Sequence, residues 1–202
     1  MSTERGTKVH ATTVNKYRWR TVDIVVASVI GVASGIIFWA WGLAYGPLSA
    51  ALSATPGLTA LLGGGWLFAA VLGGLIVRKP GAAIYTELIA ATVSALIGSQ
   101  WGFGTLMSGL VQGLGAELVF ALFLYANWNV FTAVLAGAGA GVAMSINDLV
   151  VWYPGVDTGF QAVYVICGVF SGAVLAGVVP WFIVRGLARA GALSRFAAGR
   201  QN

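Results

Sequence analysis

Long apolar runs separated by short links set the pattern of this chain. A helix needs about 20 apolar residues to cross a bilayer. Six such spans are predicted: Val22–Tyr45, Leu58–Val77, Gly81–Ser99, Thr105–Tyr125, Val130–Val151 and Gln161–Val184. No alternating β-barrel pattern is present, so helices are the spanning element. The fold class expected is all-α, a six-helix membrane bundle. The link Gly46–Gly57 is longer and contains Pro47 and Pro56; it is predicted as a loop, with room for a short helix or a lid over a pocket. The second run is the least regular, because Gly63–Gly64–Gly65 lowers its helix propensity.

Charge turns these spans into a topology. The eleven basic residues fall in three places: Arg5 to Arg20, Arg78–Lys79, and Arg185 to Arg200. Cytoplasmic loops carry an excess of Lys and Arg. The N-terminal cluster therefore faces the cytoplasm, Arg78–Lys79 returns there after two spans, and the C-terminal cluster after six. Without the second span Arg78–Lys79 would face outward, so the charge rule keeps it. The chain divides into a basic cytoplasmic tail over 1–20, a membrane domain over 21–185 and a basic cytoplasmic tail over 186–202. The apolar run after Arg20 is too long for a signal peptide and ends in Trp39, Trp41 and Tyr45, so it is expected to remain as a membrane helix. The expected location is the cytoplasmic membrane, crossed several times.

Composition agrees. Hydrophobic residues make up 58% of the chain and charged residues 8%, where a soluble domain carries about 25%. The 29 glycines suit close helix packing in lipid. The net charge of +5 does not point to nucleic acid: the basic residues flank spans and are not interleaved with aromatic rings. Cys167 lies in an apolar run and is expected to be a packing thiol.

Between Pro80 and Val184 there is no Lys or Arg, yet Glu87, Glu117, Asp148 and Asp157 lie there. A carboxylate at mid-membrane costs roughly 2.5–3.5 kcal/mol on insertion scales. With no basic residue in the stretch, the positive partner can arrive as a ligand or a proton. Side chains four apart share a helix face. Glu117 lies on a strip with Gly109, Gly113, Ala121 and Tyr125; Glu87 lies with Ala83, Ala91 and Ala95. Such a strip either packs tightly against another helix, with the glutamate hydrogen-bonded to a neighbour, or leaves room for a ligand. Glu87 is also two turns from Arg78–Lys79 and could pair there. Asp148 shares a face with Trp152 near the outer end of the fifth span, which suits an organic cation or a solvated helix end. Asp157 reads as a turn residue. Gln112 offers donors and an acceptor about 140° around the helix from Glu117. Gln100 and Trp101 lie at the outer mouth, and Trp41, Tyr45, Trp152 and Tyr153 cluster near it. These rings form an interface belt or stack on a flat heteroaromatic ligand.

The lone histidine, His10, lies in the N-terminal tail. No Ser–His or Cys–His pair, metal-ligand cluster or phosphate-binding GxxxxGK[ST] loop is legible, so neither an enzyme nor ATP hydrolysis by this chain is expected. No cofactor is expected. The stripe Ala27, Gly31, Gly35 packs within the bundle or docks a partner helix; the sequence leaves both open.

The run RKPGAAIYTELIAA, then LIGSQWG and GLVQGLGAELVFALF, resembles the YkoE-type S components of energy-coupling-factor (ECF) transporters, as does the opening RWRTVDIVVASVIGVASGIIFWAW. The likeness extends from Arg18 to Arg185. It implies a six-helix substrate-capture subunit for thiamine or its hydroxymethylpyrimidine precursor. The partners it implies are a transmembrane coupling protein and a pair of ABC-type ATPases, which would hydrolyse the ATP. By motif it points to Glu87 and Glu117, with Gln112, Gln100 and Trp101 in matched segments. The other reading is a stand-alone proton-coupled carrier for a small organic cation, for which clear internal repeats are not evident.

Overall fold

The computed structural model describes residues 17–199. All its regular elements are helical, and no strand occurs among the described residues. Helix α1 runs Thr21–Leu52, and a 3₁₀ segment, Leu58–Trp66, leads through Leu67 into α2, Phe68–Val77. Then come α3, Ala82–Ile97; α4, Gly104–Leu122; α5, Val130–Val151; and α6, Thr158–Ser171. A π-helical stretch, Gly172–Val178, joins α6 to α7, Val179–Arg189. Five of the apolar helical stretches are long enough to cross a membrane, and Ala82–Ile97 is a shorter apolar helix. This is a multi-pass membrane protein.

Three differences from the predicted spans have physical causes. The first helix does not stop at Tyr45; it continues through Pro47 to Leu52, so the expected loop shrinks. One proline removes one donor and kinks a helix without having to end it. The glycine triplet divides the second span into unlike halves. Nine residues at about 2.0 Å rise and ten at about 1.5 Å together reach about 33 Å, enough for a hydrocarbon core. The last span likewise changes register in its π stretch and reaches beyond Val184 to Arg189.

The second span is the most enclosed, with 72% of its apolar stretch buried. Ala70, Val71 and Leu75 are wholly buried, and the main core forms around them with Phe120, Ala136, Ala140 and Met144. The small stripe on α1 packs inside the bundle: a Cβ on Gly35 would come within 2.6 Å of the Ala90 carbonyl oxygen on α3. On α5, a Cβ on Gly137 would come within 2.2 Å of the Gly172 oxygen, so α5 and the π stretch touch backbone to backbone.

One end of the bundle gathers the basic residues. Lys79 and Arg20 both pair with buried Asp23. Trp19 donates to the Pro80 carbonyl. Arg78, in the left-handed region at φ 57°, donates to the Leu75 carbonyl and stands over the Trp128 ring. Burial lowers its pKa to about 10, which leaves it charged at neutral pH. Leu193, Phe196 and Ala198 turn back into the core at this end. Helix α7 continues past residue 185 to Arg189, and Leu193, Phe196 and Ala198 are the buried residues beyond it among those described. Of the tail expected over 1–20, residues 1–16 lie outside the described residues.

Candidate functional site

Glu87 is wholly buried on α3. Its Oε2 accepts the Ala70 N–H at 2.7 Å. Ala70 is the third residue of α2, and the first N–H groups of a helix have no partner within it. The break in the second span thus exposes a donor, and Glu87 answers it from the neighbouring helix. Oε1 accepts nothing; among the described residues it is the buried side-chain oxygen or nitrogen left without a hydrogen-bond partner. A buried unmet acceptor costs about 1–3 kcal/mol, so it marks a place where a donor belongs.

Glu87 borders a cavity of about 300 Å³. This is the lower end of the size range of small-molecule sites. Beside Glu87 stand Ala91, Gly109 and Gln112, where the small residues of α3 and α4 leave space. The 3₁₀ segment contributes one wall through Thr59, Gly63 and Trp66; Met144 and Asp148 of α5 and Tyr164 of α6 form another. Tyr45, Trp101, Trp152 and Tyr153 complete it toward the end opposite the basic cluster. Glu87 is ten residues from that end of α3, about 15 Å deep at 1.5 Å per residue. Asp148 is three residues from the end of α5, so it lies much nearer the mouth.

The polar groups are held in place. Asp148 accepts from the Tyr164 hydroxyl at 2.9 Å and from Asn147 Nδ2 at 3.1 Å. Tyr45, Trp66 and Trp101 meet edge to face, with centroids 5.1–5.5 Å apart. Trp66 donates its indole N–H to the Phe38 carbonyl at 3.1 Å. The cavity can therefore accept hydrogen bonds deep inside and hold a flat or cationic ring near its mouth.

Six of the residues proposed from the sequence line this cavity: Glu87, Gln112, Trp101, Asp148, Trp152 and Tyr45. Three do not. Glu117 meets the backbone instead. Its carboxylate accepts from the backbone N–H groups of Gly81 at 2.6 Å, Ala83 at 2.9 Å and Ile84 at 3.4 Å, and from the Tyr125 hydroxyl at 2.8 Å. It caps α3 at the basic end, because Gly81 at the N-cap has no side chain to do so. Gln100 donates to the Gly42 carbonyl at 3.4 Å and borders a separate groove between α1 and α3. Trp41 donates to the Leu62 carbonyl at 3.0 Å and packs on the edge of Trp66, behind the cavity wall.

Lys79 engages Asp23, so the pairing considered for Glu87 with Arg78–Lys79 does not form. Asp157 is the N-cap of α6 and accepts from Gly159 and Phe160, as a turn residue would. The sequence reading missed Trp66, Thr59, Ser108 and Tyr164. The signal for Tyr164 was weak: one hydroxyl in an apolar run, with a partner sixteen residues away.

Three comparisons with known proteins place the chain in a family. A family model for the permease component of an ABC-type cobalt transport system matches residues 22–143. The putative HMP/thiamine permease protein YkoE of Bacillus subtilis (strain 168) is 33% identical over 187 residues, covering 91% of this chain and 92% of that protein. A crystal structure of an S-component of an ECF transporter superposes with a TM-score of 0.79 at 29% identity, covering 91% of this chain and 93% of that one. The chain belongs to the YkoE family of ECF S components. It is thus the membrane-embedded substrate-binding subunit of an ECF-type importer.

Proposed function

We propose that the cavity captures thiamine or its hydroxymethylpyrimidine precursor from the outer side of the cytoplasmic membrane. The observation that carries this reading is the buried, unpartnered Oε1 of Glu87 in a cavity with aromatic walls. An aminopyrimidine offers an exocyclic N–H to a carboxylate, and Gln112 can give and accept beside it. A thiazolium ring suits the mouth, where Asp148 supplies negative charge and the Trp and Tyr faces add cation–π attraction of about 0.5–2 kcal/mol. The cobalt in the family description fits less well: among the described residues no three His, Cys, Asp or Glu side chains converge.

In this reading the basic end faces the cytoplasm, following the distribution of Lys and Arg. The partners are a transmembrane coupling protein and a pair of ABC-type ATPases. This chain performs no bond chemistry. It releases its ligand when the ATPases favour a state of lower affinity, because only differential affinity between states can drive release.

Calorimetry on the purified protein tests the substrate. One-to-one saturable binding of thiamine or hydroxymethylpyrimidine is expected, weakened about tenfold or more in Glu87→Gln, which corresponds to about 1.4 kcal/mol. Binding of neither compound by the wild-type protein would overturn the substrate assignment. Uptake by this chain without ATPases, driven by a proton gradient, would favour a secondary carrier instead.

A further inference from the structure

Ser171 lies outside the cavity, on the last turn of α6, where the π stretch begins. It is buried, and its hydroxyl reaches across to the 3₁₀ segment of the second span. There it accepts the Gly64 N–H at 2.9 Å and donates to the Leu61 carbonyl at 2.5 Å. Those two groups are three residues apart, the pair that a 3₁₀ turn joins directly. The hydroxyl bridges the turn as an inserted water would. Gly64 makes room for it: a Cβ there would come within 2.6 Å of the Ser171 oxygen.

A nine-residue 3₁₀ run is unusual, since runs beyond three or four residues are uncommon. It needs support from outside itself. This run carries Thr59, Gly63 and Trp66 into the cavity wall. If it relaxed toward α-helical winding, the successive residues would rotate and these side chains would leave their places. We infer that Ser171 is a positioning residue for ligand binding: it holds the 3₁₀ wall of the cavity from the last span without touching the ligand.

This inference rests on the cavity being the ligand site, but its test does not depend on which ligand is bound. Hydrogen exchange is compared in ligand-free wild-type protein and Ser171→Ala. Faster exchange confined to residues 58–66 is expected. Unchanged exchange there, or equal acceleration throughout the bundle, would overturn the proposal. Thiamine affinity supplies a second readout, expected to fall about tenfold, in line with loss of a buried bridging hydroxyl. A double-mutant cycle then separates positioning from general loosening. Ser171→Ala combined with Trp66→Phe, on the held wall, is expected to lose little more than the worse single change. Combined with Trp152→Phe, which lines the cavity from the end of α5 and not from the 3₁₀ wall, the losses are expected to add. Full additivity in both pairs would leave Ser171 an ordinary packing residue. Should wild-type protein bind neither thiamine nor hydroxymethylpyrimidine, the substrate assignment fails, and the exchange pattern alone decides the role of Ser171.

Discussion

Glu87 and Glu117 each stand on a face of small residues, yet their oxygens meet different partners. Glu117 receives three backbone N–H groups and a tyrosine hydroxyl. Glu87 receives one N–H and keeps an oxygen unmet beside the cavity. Opposite phenotypes are expected. Glu117→Gln places an NH₂ against N–H donors and should cost about 1–3 kcal/mol of stability. Thermal unfolding in detergent would show a lower midpoint, while the folded fraction keeps a thiamine affinity within about twofold of wild type. A binding loss in Glu117→Gln without a stability loss would contradict the capping role. Glu87→Gln should reverse the pattern: it keeps an acceptor for Ala70, removes a buried acid, and loses ligand rather than stability. In the sequence the two differ only in that Glu87 lies nearer Arg78–Lys79, a cue that made Glu117 the stronger candidate for the ligand and pointed the wrong way. What separates them is the α3 start above one and the α2 start beside the other.

At the scale of elements, glycine sets how closely helices meet. Apolar packing gives little drive for helices to associate in lipid, so close backbone contact matters more. At Gly137 the nearest atoms to an added Cβ are backbone, Gly172 O at 2.2 Å and Gly177 N at 2.6 Å, and neither can turn aside. Gly137→Ala is therefore expected to cost about 1–3 kcal/mol through overpacking. A thermal midpoint equal to wild type would mean that α5 and the π stretch can separate freely. The existence of every span was legible in the apolar runs. The winding inside two of them was not, because a 3₁₀ or π stretch has the same composition as an α-helix. The glycine triplet at Gly63–Gly65 marked the second span as irregular. It gave no sign that the break would present Ala70 N–H to Glu87, or that Trp66 would face the cavity.

For the whole molecule, the two ends of the bundle differ in kind. Ion pairs and caps tie the basic end: Asp23 with Lys79 and Arg20, and Glu117 over the start of α3. Aromatic rings and the cavity occupy the other end. In the proposed reading the ligand enters at the aromatic end. The orientation is open to a direct check. Ser194 is exposed near the basic end, and Cys167 is partly buried within α6. In a Cys167→Ala background, Ser194→Cys should resist an impermeant thiol reagent in intact cells and react once the membrane is opened. Labelling from outside would invert the topology.

Apolar runs alone were enough to count the spans, call them helical and gather the basic residues at one end, because the bilayer penalises polar surface residue by residue. The sequence also narrowed the chemistry to a few carboxylates and rings, since a stretch without Lys or Arg leaves those acids in view. Which carboxylate borders the cavity and which caps the backbone came from the packing of the helices. That choice depends on where one helix begins beside another, a distance between elements that no local pattern encodes.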